Sequence, residues 1–296
     1  MEKRFFAIFS NGVKVSKVGR RLVFENKEKK ISVLLKDLYA VLVFGKASFS
    51  GDALNLLMQE DVPVFFLSRF GTLKGFMLTE ILRSNYNNRL EQYRLFLTKR
   101  LEVAKFFVIK KLEAIEKTFF VDLSYEKLQV EKTEDLDTLR GIEGKASVKM
   151  FDEVKKDLKE TEFTFKGRNY RPPPDEVNAL LSLTYTMVYL TALPIVVALG
   201  FDPYISFLHS KRGTHAAFCS DLMEPVRPLV TQNLVFELTK GTFRRKDFQK
   251  DTRRGFYLKE ESLAKFLNWF ENQTEQVLEK LSETLAEFSV LLGELK

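Results

Sequence analysis

The first 77 residues alternate short β-branched and aromatic runs with turn residues. The runs are RFFAIF, VKVSKV, RLVFEN, KKISVLL, AVLVFG, VPVFFLS and KGFML. Runs of this length and composition are typical of strands. Asn11-Gly12, which separates the first two runs, predicts a β-hairpin. The segment SGDALNLLMQED instead places its apolar residues at helical spacing and predicts one short helix on the sheet.

From Thr79 onward the apolar positions recur every three or four residues, which is the period of an amphipathic helix. Residues 79 to about 120 predict one or two long helices, and a charged helical stretch follows over residues 122–139. In the last stretch, residues 260–296, Leu and Phe alternate with Glu and Lys at helical spacing. This pattern predicts an amphipathic helix that packs on the rest of the protein. The pattern therefore predicts an α+β protein in which a small β-rich domain, residues 1–78, precedes a larger all-α domain, residues 79–296.

An uncharged segment lies between Glu176 and Asp202 and reads VNALLSLTYTMVYLTALPIVVALGF. It is long enough to cross a bilayer, which would make the chain a membrane-anchored protein. Polar side chains are scattered around it and Pro194 interrupts it, so we expect a helix buried inside the helical domain, with Asp175 as its N-cap.

The composition limits the metal sites and disulfides that the chain can form. The chain has 296 residues, of which one is cysteine and two are histidine. Cys219 alone cannot form an internal disulfide or a cysteine-based zinc cluster, and its lone thiol suits a reducing cytoplasm. A metal site would therefore rely on carboxylates, which favours Mg²⁺ or Mn²⁺ over zinc. The net charge of +7 favours phosphate-bearing partners.

The candidate chemistry centres on His209, which follows the apolar segment. Asp221 and Glu224 come next, and their i, i+3 spacing would project both carboxylates from one face of a helix, where a bound cation would relieve their repulsion. The same Asp-x-x-Glu spacing is a helix-capping pattern, and the spacing alone does not separate the two interpretations. A third carboxylate, Glu143, lies at a predicted helix start, where in isolation it would complement the helix dipole.

Basic residues concentrate between positions 240 and 254, in the run KGTFRRKDFQKDTRR. Seven Lys or Arg with interleaved Phe suit a phosphate backbone, although a solvated charged loop has the same composition. We interpret His215 as a surface residue or a phosphate contact.

Several blocks, in this order, resemble the signature blocks of the CRISPR-associated adaptation integrase family. They are Arg140-Gly-Ile-Glu-Gly144, the run FTFKGRNYRPPPDEVNALLSLTYT from Phe163 to Thr186, and Leu208-His209 followed by Asp221-Leu-Met-Glu-Pro-Val-Arg-Pro228. Proteins of this family are metal-dependent DNA endonucleases that insert new spacers into CRISPR arrays.

The resemblance implies a Mg²⁺ or Mn²⁺ ion held by Glu143, His209 and Glu224, with Asp221 beside them as a further catalytic residue. Much of the family has Asp at the last position, so Glu224 adds a methylene to the expected geometry. Asn178 matches a recurrent family residue. The candidate DNA-binding residues are Arg168, Arg171, Arg227, Arg244, Arg245 and Lys246.

The resemblance also implies a function and partners. We expect phosphodiester cleavage and strand transfer by a DNA 3′-hydroxyl into the CRISPR repeat. We further expect a cytoplasmic homodimer joined through residues 1–78, a small ferredoxin-like second adaptation protein as partner, and no membrane. The alternative is a non-catalytic helical nucleic-acid-binding protein, in which Asp221 and Glu224 merely cap a helix.

Overall fold

A computed structural model describes residues 4–68, 73–77, 86–169, 172–210 and 215–295. The chain divides into two compact units. The first comprises Met1–Arg83 and Leu263–Glu271, and the second comprises Ser84–Ser262 and Asn272–Lys296. The predicted boundary after residue 78 falls within residues 78–85, which lie outside the described residues. The mixed α+β class, strand-rich first and helical afterwards, is confirmed.

The described residues of the first unit form two four-stranded sheets, one helix of its own and most of a second helix that begins in the other unit. Its strands are β1 (Arg4–Ile8), β2 (Val13–Val18), β3 (Arg21–Glu25), β4 (Lys30–Leu34), β5 (Leu38–Val43), β6 (Ala47–Phe49), β7 (Val64–Leu67) and β8 (Leu73–Met77), and its helix is α1 (Gly51–Gln59). The strand orders are β1-β5-β7-β8 and β4-β3-β2-β6. The predicted short helix is confirmed as α1, whose first turn is capped by Ser50.

The hairpin predicted at Asn11-Gly12 is wrong. Strand β1 pairs in parallel with β5, whereas β2 pairs with β3 and β6 in the other sheet. Gly12 has φ +76°, and its N–H donates to the Lys46 carbonyl over 2.8 Å, so the dipeptide forms a tight turn between sheets. The hairpin lies instead at Gly19, φ +60°, between β2 and β3.

The second unit is mainly helical. Its elements are α2 (Tyr86–Thr98), α3 (Arg100–Phe119), α4 (Ser124–Lys132), α5 (Leu136–Asp157), α6 (Glu176–Ala198), α7 (Ala217–Leu222), α8 (Arg227–Thr239), β9 (Phe248–Asp251), β10 (Gly255–Leu258) and α10 (Thr274–Glu294), and it shares α9 (Glu260–Glu271) with the first unit. The predicted helical C-terminal region is confirmed, with the addition of the antiparallel β9–β10 hairpin, whose first strand and turn belong to the basic run. Helix α9 gives residues 263–271 to the first unit.

Helix α5 does not begin at the Gly141–Gly144 run, as the sequence analysis expected. It begins after Asp135, whose side chain accepts hydrogen bonds from the N–H groups of Asp137 and Thr138. The helix continues through both glycines, because its apolar face is buried from Leu139 to Val154 and packing outweighs their low helix propensity. Glu143 therefore lies about two turns inside the helix, and the first-turn interpretation is wrong.

Helix α6 is buried in the second unit, as predicted. Among the described residues it alone is long and apolar enough to cross a membrane, and 67% of its apolar window is buried inside the protein. Asp175 caps it by accepting from the Asn178 N–H over 2.7 Å, as expected. The helix packs against α7, α8, α10 and β10 and thereby fixes the elements around the candidate site.

An aromatic cluster fills the core beneath that site. Its rings are Phe107, Phe201, Phe207, Phe218 and Phe288, which are fully buried and lie in tilted or edge-to-face contact. Because Phe207 lies just before His209 and Phe218 belongs to α7, this packing anchors both segments that carry candidate site residues.

Candidate active site

His209 lies on the segment between α6 and α7, and buried side chains hold that segment in place. Gln92 of α2 is fully buried and donates to the carbonyls of Asp202 (3.0 Å) and Ile205 (2.7 Å). Its side-chain oxygen accepts from the Asp202 N–H over 2.8 Å. One amide therefore satisfies three backbone groups that would otherwise be buried unpaired.

Two arginines from neighbouring helices hold the end of the same segment. Arg100 of α3 donates from Nε to the Phe207 carbonyl over 3.0 Å, and Arg140 of α5 donates from Nε to the Leu208 carbonyl over 2.9 Å. Arg140 belongs to the Arg-Gly-Ile-Glu-Gly run, so this run helps to position His209 as well as carrying Glu143.

Asp221 orients the His209 ring. Its carboxylate is fully buried and accepts hydrogen bonds from the N–H groups of Phe207 (2.6 Å), Leu208 (3.1 Å) and His209 (2.9 Å). It also contacts His209 Nδ1 at 2.8 Å. Because the carboxylate can only accept, Nδ1 carries a proton. Burial alone would lower the pKa of His209, but Asp221 and Glu224 raise it above its ordinary value, which favours an imidazolium facing Glu224 in the metal-free chain. Nε2 can bind a metal ion only when it gives up its own proton.

The capping interpretation of Asp221 is therefore wrong. The residue lies in the last turn of α7, and its side chain binds the segment before that helix. The next helix, α8, begins after Val226 without any side-chain cap. The i, i+3 spacing brings Asp221 and Glu224 to the same imidazole instead, one at each ring nitrogen.

Glu224 follows α7 and is 1% exposed. Its Oε1 lies 3.4 Å from His209 Nε2 and 3.2 Å from Arg227 Nε, while its Oε2 lies 2.6 Å from Lys111 Nζ. Burial alone would raise the pKa of this carboxyl. The charges of Arg227, Lys111 and His209 outweigh burial and lower the pKa to about 2, so Glu224 is ionised.

Lys111 joins Glu224 to Glu143. Its ammonium contacts the Glu143 carboxylate as well as Glu224, and Ser147 Oγ donates to Glu143 Oε1 over 2.8 Å. The Lys111 side chain is only 4% exposed. Burial by itself would lower the pKa of Lys111, but the two carboxylates raise it above its ordinary value, so a full positive charge lies between them.

Sequence analysis missed Lys111, although a signal was present. Residue 111 falls on the apolar stripe of α3, where Val108, Leu112 and Ile115 are fully buried. A lysine on a buried stripe needs either a route to solvent or partners of opposite charge. Glu143 and Glu224 are those partners, and they come from other segments.

The structure brings Glu143, His209, Asp221 and Glu224 into one polar cluster. Two carboxylates and an imidazole whose Nδ1 is held by a third carboxylate are a donor set that fits Mg²⁺ or Mn²⁺. In the part of the chain that is described, no three His, Cys, Asp or Glu side chains converge as a ready-made ion cage. The cation that Glu143 and Glu224 share here is the Lys111 ammonium.

Two of the candidate DNA-binding arginines lie beside this cluster. The guanidinium carbons of Arg168 and Arg227 lie 5.5 and 5.0 Å from the centre of the Tyr185 ring, and Arg227 also pairs with Glu224. Tyr185 is fixed by a 2.7 Å hydrogen bond between its hydroxyl and that of Thr231. The two cations therefore meet around one aromatic ring at the edge of the site.

Asn178 supports this arrangement. It is fully buried, its Nδ2 donates to the Gly167 carbonyl over 3.0 Å, and its Oδ1 accepts from Arg168 Nη1 over 3.0 Å and from the Asn169 N–H over 2.8 Å. It thus ties the segment before α6 to that helix, which is a structural role. Arg171 lies outside the described residues.

The remaining basic candidates lie at the start of the β9–β10 segment. Arg244, Arg245 and Lys246 are exposed, and Arg245 pairs with Glu176 at 3.1 Å. His215 is exposed, stacks on Tyr189 with ring centres 4.9 Å apart, and contacts Ser220 Oγ at 2.7 Å. DNA contact by any of these residues stays a prediction.

Comparison with protein families gives one match over most of the chain. Residues 6–272 match the family model described as CRISPR associated protein Cas1. An endonuclease Cas1 from Thermus thermophilus is 30% identical over an alignment 310 residues long, gaps included. The alignment covers 97% of this chain and 90% of that protein. A Cas4/Cas1 fusion from Geobacter sulfurreducens is also 30% identical over 88% of this chain, and the chain spans only 51% of the fusion's length.

Solved structures share the fold. A CAS1 protein from Thermotoga maritima has a TM-score of 0.86 at 21% identity, covering 99% of this chain and 97% of its own. A casposase bound to integration product has a TM-score of 0.78 at 22% identity, with 92% and 82% covered. A chain of a Cas6-RT-Cas1–Cas2 complex has a TM-score of 0.77 at 21% identity, covering 95% of this chain and 34% of that one.

Proposed function

Because the chain belongs to the Cas1 family of CRISPR-associated proteins, we propose that it is a divalent-metal-dependent DNA endonuclease and integrase of CRISPR adaptation. The observation that carries the proposal is the cluster in which Asp221 and Glu224 lie at opposite ring nitrogens of His209, and Glu224 shares the Lys111 ammonium with Glu143. Such a combination of buried carboxylates and an oriented imidazole marks a functional site more often than a structural one.

In this proposal Glu143, Glu224 and His209 Nε2 hold the ion. A bound Mg²⁺ or Mn²⁺ would neutralise charge on the phosphate oxygens and activate a hydroxyl nucleophile. Asp221 would keep the proton on His209 Nδ1, so that Nε2 is the ring nitrogen that gives up its proton and presents its lone pair to the ion. The three backbone N–H groups that Asp221 also accepts keep the ring and its segment in one orientation.

Arg227 and Arg168 would contact the substrate phosphate. Arg227 already lies against Glu224, and a guanidinium offers two parallel N–H donors that suit a phosphate group. The charge of +7 and the exposed Arg244, Arg245 and Lys246 favour further contacts along a DNA backbone. In the proposed reaction a DNA 3′-hydroxyl would attack a phosphorus atom of the repeat backbone, so that a new phosphodiester bond forms and the old P–O bond breaks. The cut strand would leave with a 3′-hydroxyl, which takes up a proton as the nucleophile loses one. Water in place of the attacking hydroxyl would give cleavage.

We further propose that the working form is a cytoplasmic homodimer, joined through the first unit, with a small ferredoxin-like second adaptation protein. A relative seen in a Cas6-RT-Cas1–Cas2 complex supports a partner of that kind. Light scattering of the purified chain, alone and mixed with the second protein, measures both assemblies. A chain that stays monomeric and does not bind the second protein would contradict this part of the proposal.

The test of the chemistry uses a branched DNA and a short duplex with a free 3′-hydroxyl, each incubated with and without Mn²⁺. We expect cleaved and joined products only with the metal. Glu143→Ala and His209→Ala are expected to lose both activities while keeping a near-native circular dichroism spectrum. Glu153→Ala is the control, because Glu153 lies on the same helix and pairs with Lys156 away from the cluster.

Full activity in the Glu143 or His209 variant would overturn the assigned site. A chain that binds DNA but produces neither product, and whose melting temperature Mn²⁺ does not raise, would support the alternative of a non-catalytic nucleic-acid-binding protein.

A further inference from the structure

The ammonium of Lys111 is a buried positive charge in the second unit. It lies between two carboxylates, and both its own side chain, 4% exposed, and that of Glu224, 1% exposed, are shielded from water. We propose that Lys111 is a built-in counter-ion, which balances Glu143 and Glu224 in the metal-free chain and competes with the divalent ion for them. This inference rests on the proposed function, because it presupposes that the two carboxylates bind the ion.

The charges around the cluster explain why the metal-free protein needs such a group. The carboxylates of Glu143, Asp221 and Glu224 converge there, and Lys111, Arg227 and the His209 ring face them. Carboxylates buried together without a cation repel one another and shift toward their neutral forms. With Lys111 in place the charges nearly cancel, and the second unit can fold before any metal binds.

The same charge opposes the metal. A divalent ion bound by Glu143 and Glu224 would lie close to the Lys111 ammonium, in a site where buried charges are weakly screened. The ammonium occupies one oxygen of each carboxylate, and the other oxygen of Glu224 faces His209 Nε2. The lysine therefore need not exclude the ion from the site, but its charge lowers the affinity.

The charge that lowers the affinity for the metal favours binding of the DNA phosphate. With Lys111, Arg227 and a divalent ion present, the cluster carries a net positive charge, which suits the negative phosphodiester group. Without Lys111 the ion would be held more tightly, but the metal-bound cluster would be less positive.

The test is Mn²⁺ binding to the intact chain without DNA, measured from the electron paramagnetic resonance signal of free Mn²⁺. Lys111→Met keeps a flexible side chain of similar length and removes the charge. We expect it to bind Mn²⁺ about tenfold more tightly than the natural chain, because one repulsive charge is gone. Its metal-free melting temperature should fall, and the rise in melting temperature on adding Mn²⁺ should grow.

Two variants keep the test decisive. Lys110→Met removes the same charge from the adjacent position of α3, where Lys110 pairs with Glu113 (3.4 Å) and Glu287 (3.1 Å), and it should leave Mn²⁺ affinity unchanged. Lys111→Gln is the substitute if Lys111→Met fails to fold, since the neutral amide can still donate to a carboxylate.

Equal or weaker Mn²⁺ binding by the Lys111 variants would overturn the inference while leaving the proposed metal site intact. Equal gains in the Lys110 and Lys111 variants would also overturn it, because they would reflect overall charge. Absence of Mn²⁺ binding in every variant would refute the metal site itself, and the inference with it. Binding only after the lysine is replaced would support the inference most strongly.

Discussion

At the scale of single residues, the Asp221 carboxylate makes four polar contacts that fix the His209 segment of the candidate site. Its two oxygens accept three backbone N–H groups and contact the His209 ring. Asp221→Asn keeps the shape of the side chain but replaces one acceptor with an NH₂ group that faces other donors. We expect a loss of about 2 to 3 kcal/mol in the free energy of unfolding, measured by urea denaturation.

The control for this prediction is Asp122→Asn. Asp122 is exposed and accepts one backbone hydrogen bond, from Ser124, over 2.9 Å. This substitution should cost less than about 1 kcal/mol. If the two variants were equally stable, the Asp221 contacts would contribute nothing beyond those of an ordinary exposed carboxylate.

A second prediction concerns pH and Glu224. Its pKa is lowered in the folded chain from 4.5 to about 2, so its ion pairs stabilise the folded state above pH 4.5, and that contribution is lost as the pH falls through about 2. The free energies of unfolding of the natural chain and of Glu224→Gln, measured in a metal chelator, should therefore differ most near pH 6 and converge toward pH 2. A difference that widened on acidification would contradict the ion pairs with Lys111 and Arg227.

At this scale sequence reasoning found the acidic residues and the histidine but not the lysine. Asp221 and Glu224 share a local spacing with which a single helical turn can bring both to His209, and their roles were left open only because a cap has the same spacing. Lys111 depends on side chains from α5 and from the residues after α7. No local pattern distinguishes such a lysine from one that reaches solvent along a helix.

At the scale of elements, the β9–β10 hairpin depends on Gly255. This residue has φ +72°, and a Cβ atom there would lie 2.1 Å from the Pro173 carbonyl oxygen. The same carbonyl accepts from the Phe256 N–H over 3.0 Å, so the hairpin is held directly against the segment before α6. Gly255→Ala should therefore cost at least about 2 kcal/mol in the free energy of unfolding, through both strain and a shifted hairpin.

The control for the hairpin is Gly141→Ala on α5. A Cβ at Gly141 meets open space, and the residue is helical, so this change should stabilise the chain by about 0.5 to 1 kcal/mol. Thermal unfolding of the two variants should shift in opposite directions. If both melting temperatures shifted in the same direction, the close approach of Gly255 to Pro173 would not determine the effect of Gly255→Ala on stability.

Helices and strands were predicted well where the period was sustained, and poorly where turn residues were taken as boundaries. Helices α1, α3 and α6 follow the apolar pattern, whereas α2 forms with Tyr86, Leu90 and Leu97 of its expected apolar stripe exposed. Asn11-Gly12 makes a tight turn as its chemistry requires, but a turn does not determine which strands pair across it. The glycines at positions 141 and 144 were taken as a helix start, yet α5 passes through them because tertiary packing overrides propensity.

At the scale of the whole molecule, sequence reasoning separated a sheet region from a helical one but not the path of the chain between units. The amphipathic pattern of residues 260–296 shows that these helices must bury one face. It does not show that Leu263–Glu271 joins the first unit while Asn272–Lys296 belongs to the second. Assigning a packing face to its partner requires the shapes of both units, which no periodicity contains.

The assignment of residues 263–271 to the first unit places a natural fluorescent reporter there. The chain has one tryptophan, Trp269, which is buried with Phe266 and Phe270 in the segment that belongs to the first unit. Its fluorescence should follow the unfolding of that unit, whereas far-ultraviolet circular dichroism is dominated by the helices of the second. Gly45→Ala, whose Cβ would lie 2.6 Å from the carbonyl oxygens of Phe9 and Ser10, should shift mainly the emission transition, and Gly255→Ala mainly the dichroism transition. Identical shifts in both signals would mean that the two units melt as a single cooperative block.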